Sequence, residues 1–300
     1  MKKIPLTGGL CAAFVVLAGC LWGTTGLFVR HLNAVGLTTM TICVARSLVA
    51  LVMMLVLALC IDPKLLRVRL RHLWCFFGTG VLSMLFFNYC YFYTIEVSSM
   101  AVAATMLYTA PVFVLVLSAL LFRERITARK VVALLLAVVG CVLVSGLITG
   151  GGALNSTGVL LGLGAGFGYG LYSIFTRFAI NRGYSSVTVS VYTFLFAALG
   201  GLPLTDWSQL QTASRNEGVS LWLFLGLYAL VTTVLPYLFY NRGLTRVENS
   251  KASVIASVEP VMAALLGLAV FGEVPGVPEC IGILLVLGAV VLLNVKGKSS

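Results

Sequence analysis

Long runs of apolar residues, separated by short polar segments, follow one another along the whole chain. Each run has the ~20 residues with which an α-helix crosses the ~30 Å hydrocarbon core of a membrane. The polar segments are too short for a folded soluble domain. The pattern therefore predicts ten transmembrane helices, at roughly residues 9–29, 36–61, 73–94, 99–122, 129–148, 157–178, 185–204, 220–243, 251–271 and 278–295.

The first run also has the features of a bacterial lipoprotein leader, because Leu17-Ala18-Gly19-Cys20 follows two N-terminal lysines and an apolar stretch. A lipoprotein would turn polar after its cysteine. Here the apolar run continues past Cys20 to Arg30. We therefore expect this run to be the first span and not a cleaved leader.

Residues 91–146 recur near the end of the chain with no gap, 149 positions later. The proline and the glutamate of this block are 13 residues apart in both copies, since 124 − 111 and 273 − 260 give the same number. A period of about half the chain predicts two repeats, residues 1–149 and 150–300. The matched residues are Tyr91 with Tyr240, Pro111 with Pro260, and Glu124 with Glu273.

Five spans in each half make the second repeat enter the membrane from the side opposite to the first. The two repeats are therefore predicted to be inverted. Lys and Arg residues favour the cytoplasmic side of membrane proteins. With both termini inside, seventeen of them fall in cytoplasmic segments, and only Arg30 and Arg215 fall outside. The fold class predicted is an all-α polytopic membrane protein with cytoplasmic termini.

Composition agrees with this interpretation, because 60% of the residues are hydrophobic and only 10% are charged. The net charge of +11 is spread over short clusters between spans, so it indicates membrane topology and no nucleic-acid partner. The eight cysteines form no CxxC pair, and the two histidines fall at opposite membrane faces. Metalloprotease, nucleophile-elbow and phosphate-loop motifs do not occur. We expect no metal and no cofactor.

Prolines and charges at membrane depth are the candidate functional features. Pro111 and Pro260 lie near the middle of spans, where a proline breaks the helical hydrogen-bond ladder, so we expect hinges there. Arg46 and Glu259 lie roughly 12–14 Å into their spans at 1.5 Å per residue. A charge at that depth needs a partner or water. Two alternatives remain open: an Arg46–Glu259 ion pair that only holds helices together, or a substrate-contact or proton-coupling role for Glu259.

Polar aromatic residues complete the candidate substrate site. Asn88 and Tyr91 share a helix face, and their counterparts after 149 positions, Tyr237 and Tyr240, share another. Tyr108 precedes Pro111 by three residues. Trp22-Gly23, followed by Arg30, is echoed by Tyr169-Gly170, followed by Arg177, with an offset of 147. The predicted substrate-binding residues are Trp22, Asn88, Tyr91, Tyr108, Tyr237, Tyr240 and Glu259.

These features together resemble the EamA branch of the drug/metabolite transporter superfamily. The resemblance rests on ten spans, Trp22-Gly23, Arg46, the duplicated proline-to-glutamate block and Val258-Glu259-Pro260-Val261. It implies an inner-membrane transporter of small organic solutes, often an exporter of amino acids or metabolites, with a central cavity between the repeats. One departure is that the second half has Thr193 in place of an arginine equivalent to Arg46.

Inverted halves with polar groups at the membrane midplane are also typical of secondary transporters in their own right. We therefore predict a transporter that moves a small organic solute by alternating access. The alternatives are a membrane-embedded transferase for a lipid-soluble substrate, which would need clustered Asp, His or Lys at one membrane face, and a sensor or scaffold. The expected partners are the solute and membrane lipid. The sequence leaves proton coupling and a homodimer open.

Overall fold

A computed structural model describes residues 7–147 and 156–294, and within these ranges every regular element is helical. We number the membrane helices α1 to α10 in chain order. Nine of them are long and apolar enough to cross a membrane. They are α1 Gly8–Ala34, α2 Thr39–Ile61, α3 Leu70–Val97, α4 Met100–Phe122, α6 Ser156–Asn181, α7 Ser186–Leu204, α8 Val219–Gly243, α9 Asn249–Phe271 and α10 Val277–Asn294.

The remaining helix, α5 (Ala128–Val144), has 17 residues and is shorter than the other nine. That length is at the lower end of the ~17–25 residues that a span takes. It packs closely on α10, since a methyl group at Gly140 would lie 2.8 Å from the carbonyl oxygen of Gly282. That α5 crosses the membrane as a tenth span stays a prediction.

The two spans that contain the repeated prolines, Pro111 and Pro260, are broken helices. A proline cannot donate to the carbonyl four residues earlier, so it is best placed in the first turn of a helix. Pro111 and Pro260 both occupy such a first turn, directly after a break. The breaks lie at the two prolines, and movement about them as hinges stays a prediction. The half-helices are Met100–Leu107 and Ala110–Phe122 in α4, and Asn249–Ala256 and Glu259–Phe271 in α9.

Further irregularities recur in both halves at the offset of 149. A π-helical stretch covers Gly78–Leu85 in α3 and Leu230–Val234 in α8, and the two stretches end at equivalent positions. The residue after α4, Arg123, and the residue after α9, Gly272, both adopt left-handed backbone angles, with φ of 55° and 68°. The two halves therefore repeat in backbone conformation as well as in sequence.

The first helices of the two halves differ. The helix of α1 is interrupted at Thr24, whereas α6 is continuous over its 26 residues. The segment between α7 and α8 contains a surface helix, Trp207–Glu217. Asp206 stabilises the start of this helix by accepting hydrogen bonds from the amides of Ser208 and Gln209 at 3.0 and 3.3 Å.

Glycines let the helices of one half approach those of the other. On α6, a methyl group at Gly166 would lie 2.6 Å from Thr109 Oγ1 of α4. On α1, a methyl group at the equivalent Gly19 would lie 2.6 Å from Val258 of α9. Small residues permit such close contacts between membrane helices. Both crossings place a glycine against the break of a proline-containing helix, near the centre of the bundle.

The loops meet at the two ends of the bundle. At one end, Lys130 approaches Glu248 to 2.7 Å, and Thr188 Oγ1 of α7 donates to the carbonyl of Leu65 at 2.9 Å. We call this end, which carries Arg125, Lys130 and Arg177, the basic face; the other end is the opposite face. The predicted repeat boundary at 149–150 and the terminal lysines used for orientation lie outside the described residues.

Candidate functional site

Two adjoining clefts lie at the centre of the bundle, beside the helix breaks, and Tyr169 lines both of them. Both are narrow in this state, with cavity volumes of about 10 and 20 Å³. The first cleft is lined by Leu107, Tyr108, Ala110, Pro111, Tyr169, Ser253, Ala256, Ser257 and Glu259. The second is lined by Trp22, Ser83, Met84, Phe87, Tyr169, Tyr172, Ser173, Tyr237 and Tyr240.

Glu259 supplies the one carboxylate of these clefts. It is the first residue of the second half of α9, where the partial positive charge of a helix N-terminus favours an anion. Tyr169 donates a hydrogen bond from its hydroxyl to Glu259 Oε2 at 3.1 Å. Among the described residues, no Lys, Arg or His lies within 4.0 Å of this carboxylate. The protein itself therefore provides hydrogen bonding to Glu259 but no countercharge.

Trp22 packs against three tyrosines of the second cleft, Tyr169, Tyr237 and Tyr240, and these four rings form its aromatic wall. The Trp22 ring lies 5.4 Å from Tyr237 and 5.3 Å from Tyr240, measured between ring centroids, and 6.3 Å from Tyr169. These distances fall in the range of favourable aromatic pairs. The hydroxyl of Tyr240 is in turn 2.7 Å from Ser173 Oγ, which fixes its orientation. The wall offers ring faces and hydroxyl groups next to the carboxylate.

Arg46 lies apart from Glu259. Its Nη1 donates to Tyr228 Oη at 3.2 Å, and the guanidinium carbon is 5.4 Å from the centre of that ring. The side chain is only 9% exposed, and its Nε has no hydrogen-bond partner within the described part of the chain. The Arg46–Glu259 ion pair that the sequence left open does not form. The physical reason is that α2 carries Arg46 towards α8, whereas Glu259 faces α6.

The other predicted residues divide between the clefts and the protein interior. Tyr108 and Pro111 line the first cleft. Asn88 lines neither cleft, because it is buried, donates to the carbonyl of Met84 at 2.6 Å and accepts from Cys43 Sγ at 3.5 Å. Tyr91 packs on Phe87, a residue of the cleft wall, at 5.8 Å. Pro260 is buried behind the break that exposes Glu259.

Sequence reasoning missed, among others, the three residues that α6 contributes to the second cleft, Tyr169, Tyr172 and Ser173. Tyr169 could have been found, because it occupies the position equivalent to Trp22. Tyr172 donates to Asn241 at 2.9 Å and contacts Tyr237 edge-on at 4.9 Å. At the offset of 147, Tyr172 corresponds to Thr25 and Ser173 to Gly26, so the repeat predicts no aromatic ring at the first position and no hydroxyl at the second.

The arrangement suits binding of a polar solute. A carboxylate without a countercharge attracts a cation, and aromatic faces bind cationic and apolar groups alike. In the ranges 7–147 and 156–294, no group of three or more His, Cys, Asp or Glu side chains could hold a metal ion.

Comparison with known proteins assigns the family. Residues 9–146 and residues 156–295 each match the EamA-like transporter family. The chain belongs to the EamA-like transporter family. Each matched segment contains one copy of the sequence repeat and of the recurring helix irregularities.

Full-length relatives carry transporter names. The chain is 25% identical to uncharacterized transporter YetK of Bacillus subtilis over 84% of this chain and 77% of that protein. It is 26% identical to an uncharacterized transporter of Archaeoglobus fulgidus over 93% and 94% of the two chains. It is 23% identical to uncharacterized inner membrane transporter YicL of Salmonella typhimurium over 95% of each. This EamA protein is accordingly a multi-pass membrane transporter.

A solved crystal structure shares the fold. It superposes with a TM-score of 0.74 at 18% sequence identity, covering 95% of this chain and 96% of the other. At this identity the likeness extends to the fold alone.

Proposed function

We propose that this EamA protein is a secondary transporter that moves a small organic solute across the bacterial inner membrane by alternating access around the two central clefts. The solute we propose is an amino acid or a related metabolite, and the direction is export. The inner-membrane location is supported by the name of the Salmonella relative.

The observation that carries this proposal is a pair of opposite charges that the protein leaves without counterions. Arg46 is buried with no carboxylate within 4.0 Å, and Glu259 has no basic partner within the same distance, in the part of the chain that the structure describes. Buried charges are costly unless they are paired. A solute with a cationic and an anionic end, such as an amino acid, would complete both.

Alternating access is supported by the broken helices. Irregular backbone at membrane depth is tolerated where it is buried or lines a cavity, and inverted-repeat transporters bind their substrates at such breaks. Here both breaks border the first cleft, through Tyr108 of α4 and Ser257 of α9. When the solute leaves, Glu259 is the group that can take up a proton, so proton coupling is part of the proposal.

A comparison of metabolites in cells with and without the protein tests this function. Cells that produce the protein should release specific amino acids or their derivatives to the medium faster than cells that lack it. Cells producing the Glu259→Gln variant at the same membrane level should behave like cells without the protein. Equal release of every amino-group metabolite by all three strains would contradict the proposal.

A further inference from the structure

The basic face is closed by the carboxylate of Glu124, at the end of α4, which binds the start of α9. Glu124 Oε1 accepts from the amide of Asn249 at 2.9 Å, and Oε2 accepts from the amide and the hydroxyl of Ser250 at 3.3 and 2.5 Å. Lys130 Nζ lies 3.7 Å from the same carboxylate. Only 9% of the Glu124 side chain is exposed. This contact joins the two repeats where the helix N-terminus favours an anion.

Arg177, near the end of α6, strengthens the same closure. Its Nε donates to Asn249 Oδ1 at 2.8 Å, and its Nη2 donates to the carbonyl of Val247. Next to it, the rings of Phe122 and Phe178 lie 4.8 Å apart. The ends of α4 and α6 are therefore held against the start of α9 at the basic face.

The repeat places the same residue types at the opposite face. The counterpart of Glu124, 149 positions later in the sequence, is Glu273. The counterpart of Arg177, 147 positions earlier, is Arg30. The start of α9 corresponds in the same way to the start of α4, so that Asn249 and Ser250 correspond to Met100 and Ala101.

At the opposite face this second closure is only partly made. Arg30 Nη2 and Glu273 Oε1 are 3.1 Å apart, but both side chains are 59% exposed. Within the described residues, Glu273 accepts no hydrogen bond from the start of α4, where Met100 is 68% exposed. The structure is thus closed at the basic face and less tightly closed at the opposite face.

We propose that the second state of the transport cycle is made by exchanging these two contacts. In that state Glu273 binds the amides of Met100 and Ala101 and closes the opposite face, while Glu124 releases Asn249 and Ser250. The inference rests on the alternating access proposed above, and it identifies Glu124 and Glu273 as the residues that set the balance between the two states. Neither residue touches the solute in the clefts, so both are positioning residues.

The two contacts have unequal partners, and this explains which state the structure shows. Ser250 donates a hydroxyl hydrogen bond to Glu124, but its counterpart, Ala101, has no hydroxyl. Lys130 attracts Glu124, whereas its counterpart 149 positions later is the acidic Glu279. The closure at the basic face is therefore the stronger one, and the resting protein favours it.

The inference can be tested by removing the Ser250 hydroxyl from the contact at the basic face, or by adding a hydroxyl at Ala101 in the contact at the opposite face. Ser250→Ala weakens the closure at the basic face, and Ala101→Ser strengthens that at the opposite face. Each substitution should raise the population of the second state about two- to ten-fold, the worth of one net hydrogen bond. Glu273→Gln should lower that population. Glu217→Gln, which removes a negative charge at the same face away from the contact, is the matched control for Glu273→Gln and should change nothing.

Pulsed electron paramagnetic resonance can measure both faces in the full-length protein, with the exposed Cys60 and Cys280 replaced by serine. One spin-label pair at Met100→Cys and Val274→Cys reports on the opposite face. A second pair at Arg125→Cys and Arg246→Cys reports on the basic face. We expect Ala101→Ser and Ser250→Ala each to shorten the first distance and lengthen the second.

The outcomes separate this inference from the function on which it rests. Unchanged distances in both substituted proteins, while solute counterflow continues, would overturn the exchange of contacts and leave the transporter assignment intact. Absence of counterflow in the unmodified protein would instead count against the proposed function. Opposite changes at the two faces, reversed by Glu273→Gln, would support the inference.

Discussion

At the scale of single residues, the environment of the two buried charges could be predicted only in part. Their depth follows from counting residues along a span, and Glu259 was recognisable because it precedes a proline inside an apolar run. Which partner each charge takes depends on the rotation of its helix. That rotation is set by packing such as the contact of Arg46 with Tyr228, which no local pattern reveals.

The hydrogen bond from Arg46 to Tyr228 gives a prediction about stability. Tyr228→Phe removes the acceptor of a buried guanidinium that has no carboxylate partner, so we expect the free energy of unfolding to fall by about 1–3 kcal/mol. Thermal unfolding in detergent measures the change. Tyr89→Phe removes a hydroxyl from an exposed ring and should leave the midpoint unchanged. An equal midpoint for Tyr228→Phe and the unmodified protein would contradict the assignment of this bond.

At the scale of helices, the breaks in α4 and α9 followed from the sequence because each contains a proline. The interruption of α1 at Thr24 and the π-helical stretch of α3 did not, since no proline marks them and glycines occur throughout the membrane helices. Their cause is tertiary. Gly23, beside the interruption, packs so closely on α9 that a methyl group would lie 2.6 Å from the carbonyl oxygen of Glu259.

Close packing of α6 on α4 leads to a second prediction. Gly166→Ala would place a methyl group 2.6 Å from Thr109 Oγ1 and 2.7 Å from the carbonyl oxygen of Met106. The two helices must separate to accept it, which we expect to cost about 1–3 kcal/mol of stability. Gly288→Ala, on α10, is the control, because a methyl group there meets nothing within 4 Å. Equal unfolding midpoints for the two variants would show that α4 and α6 are not in contact at Gly166.

The surface helix Trp207–Glu217 supplies a pH-dependent prediction. Hydrogen bonds from Ser208 and Gln209 lower the pKa of Asp206 below its ordinary value. A carboxylate with a lowered pKa stabilises the folded helix above its ordinary pKa, and that stabilisation is lost as the pH falls through the lowered value. We therefore expect the amides of Ser208 and Gln209 to lose protection from hydrogen exchange below about pH 4, relative to their neighbours.

Two variants of Asp206 test whether protonation of this carboxylate causes the loss of protection. Asp206→Asn keeps a side-chain acceptor at the helix start but does not titrate, so the protection should persist and become independent of pH in the acidic range. Asp206→Ala removes the acceptor and should lose protection at every pH. If Asp206→Asn kept the same acid-induced loss as the unmodified protein, another group would be responsible.

At the scale of the whole molecule, much of the architecture could be predicted because the same block of sequence occurs in both halves. The offset of 149 between Pro111 and Pro260 reappears in the ends of the π-helical stretches and in the left-handed residues after α4 and α9. The shape of the second cleft could not be predicted, since Tyr172 and Ser173 enter it from α6, where their counterparts in α1 are the smaller residues Thr25 and Gly26.

Orientation in the membrane is open to a direct test. The excess of Lys and Arg on one side predicts that reporter fusions at residues 66 and 126 are active only in the cytoplasm, and fusions at 152 and 212 only outside. The structure places residues 66 and 126 at the basic face, with Leu66 accepting from Tyr192 Oη at 2.7 Å. An external signal at residue 126 would contradict both the orientation and the inverted repeat.

We propose that the clefts around Glu259 bind a solute and expose it alternately to the two sides of the membrane. Counterflow in proteoliposomes tests this most directly: vesicles loaded with an unlabelled amino acid are diluted into a trace of the labelled compound. We expect transient accumulation of the label with the unmodified protein, dependent on pH. A folded Glu259→Gln protein should show no accumulation. Counterflow by that variant with an unchanged pH profile, or none by the unmodified protein with any amino acid, would contradict the claim.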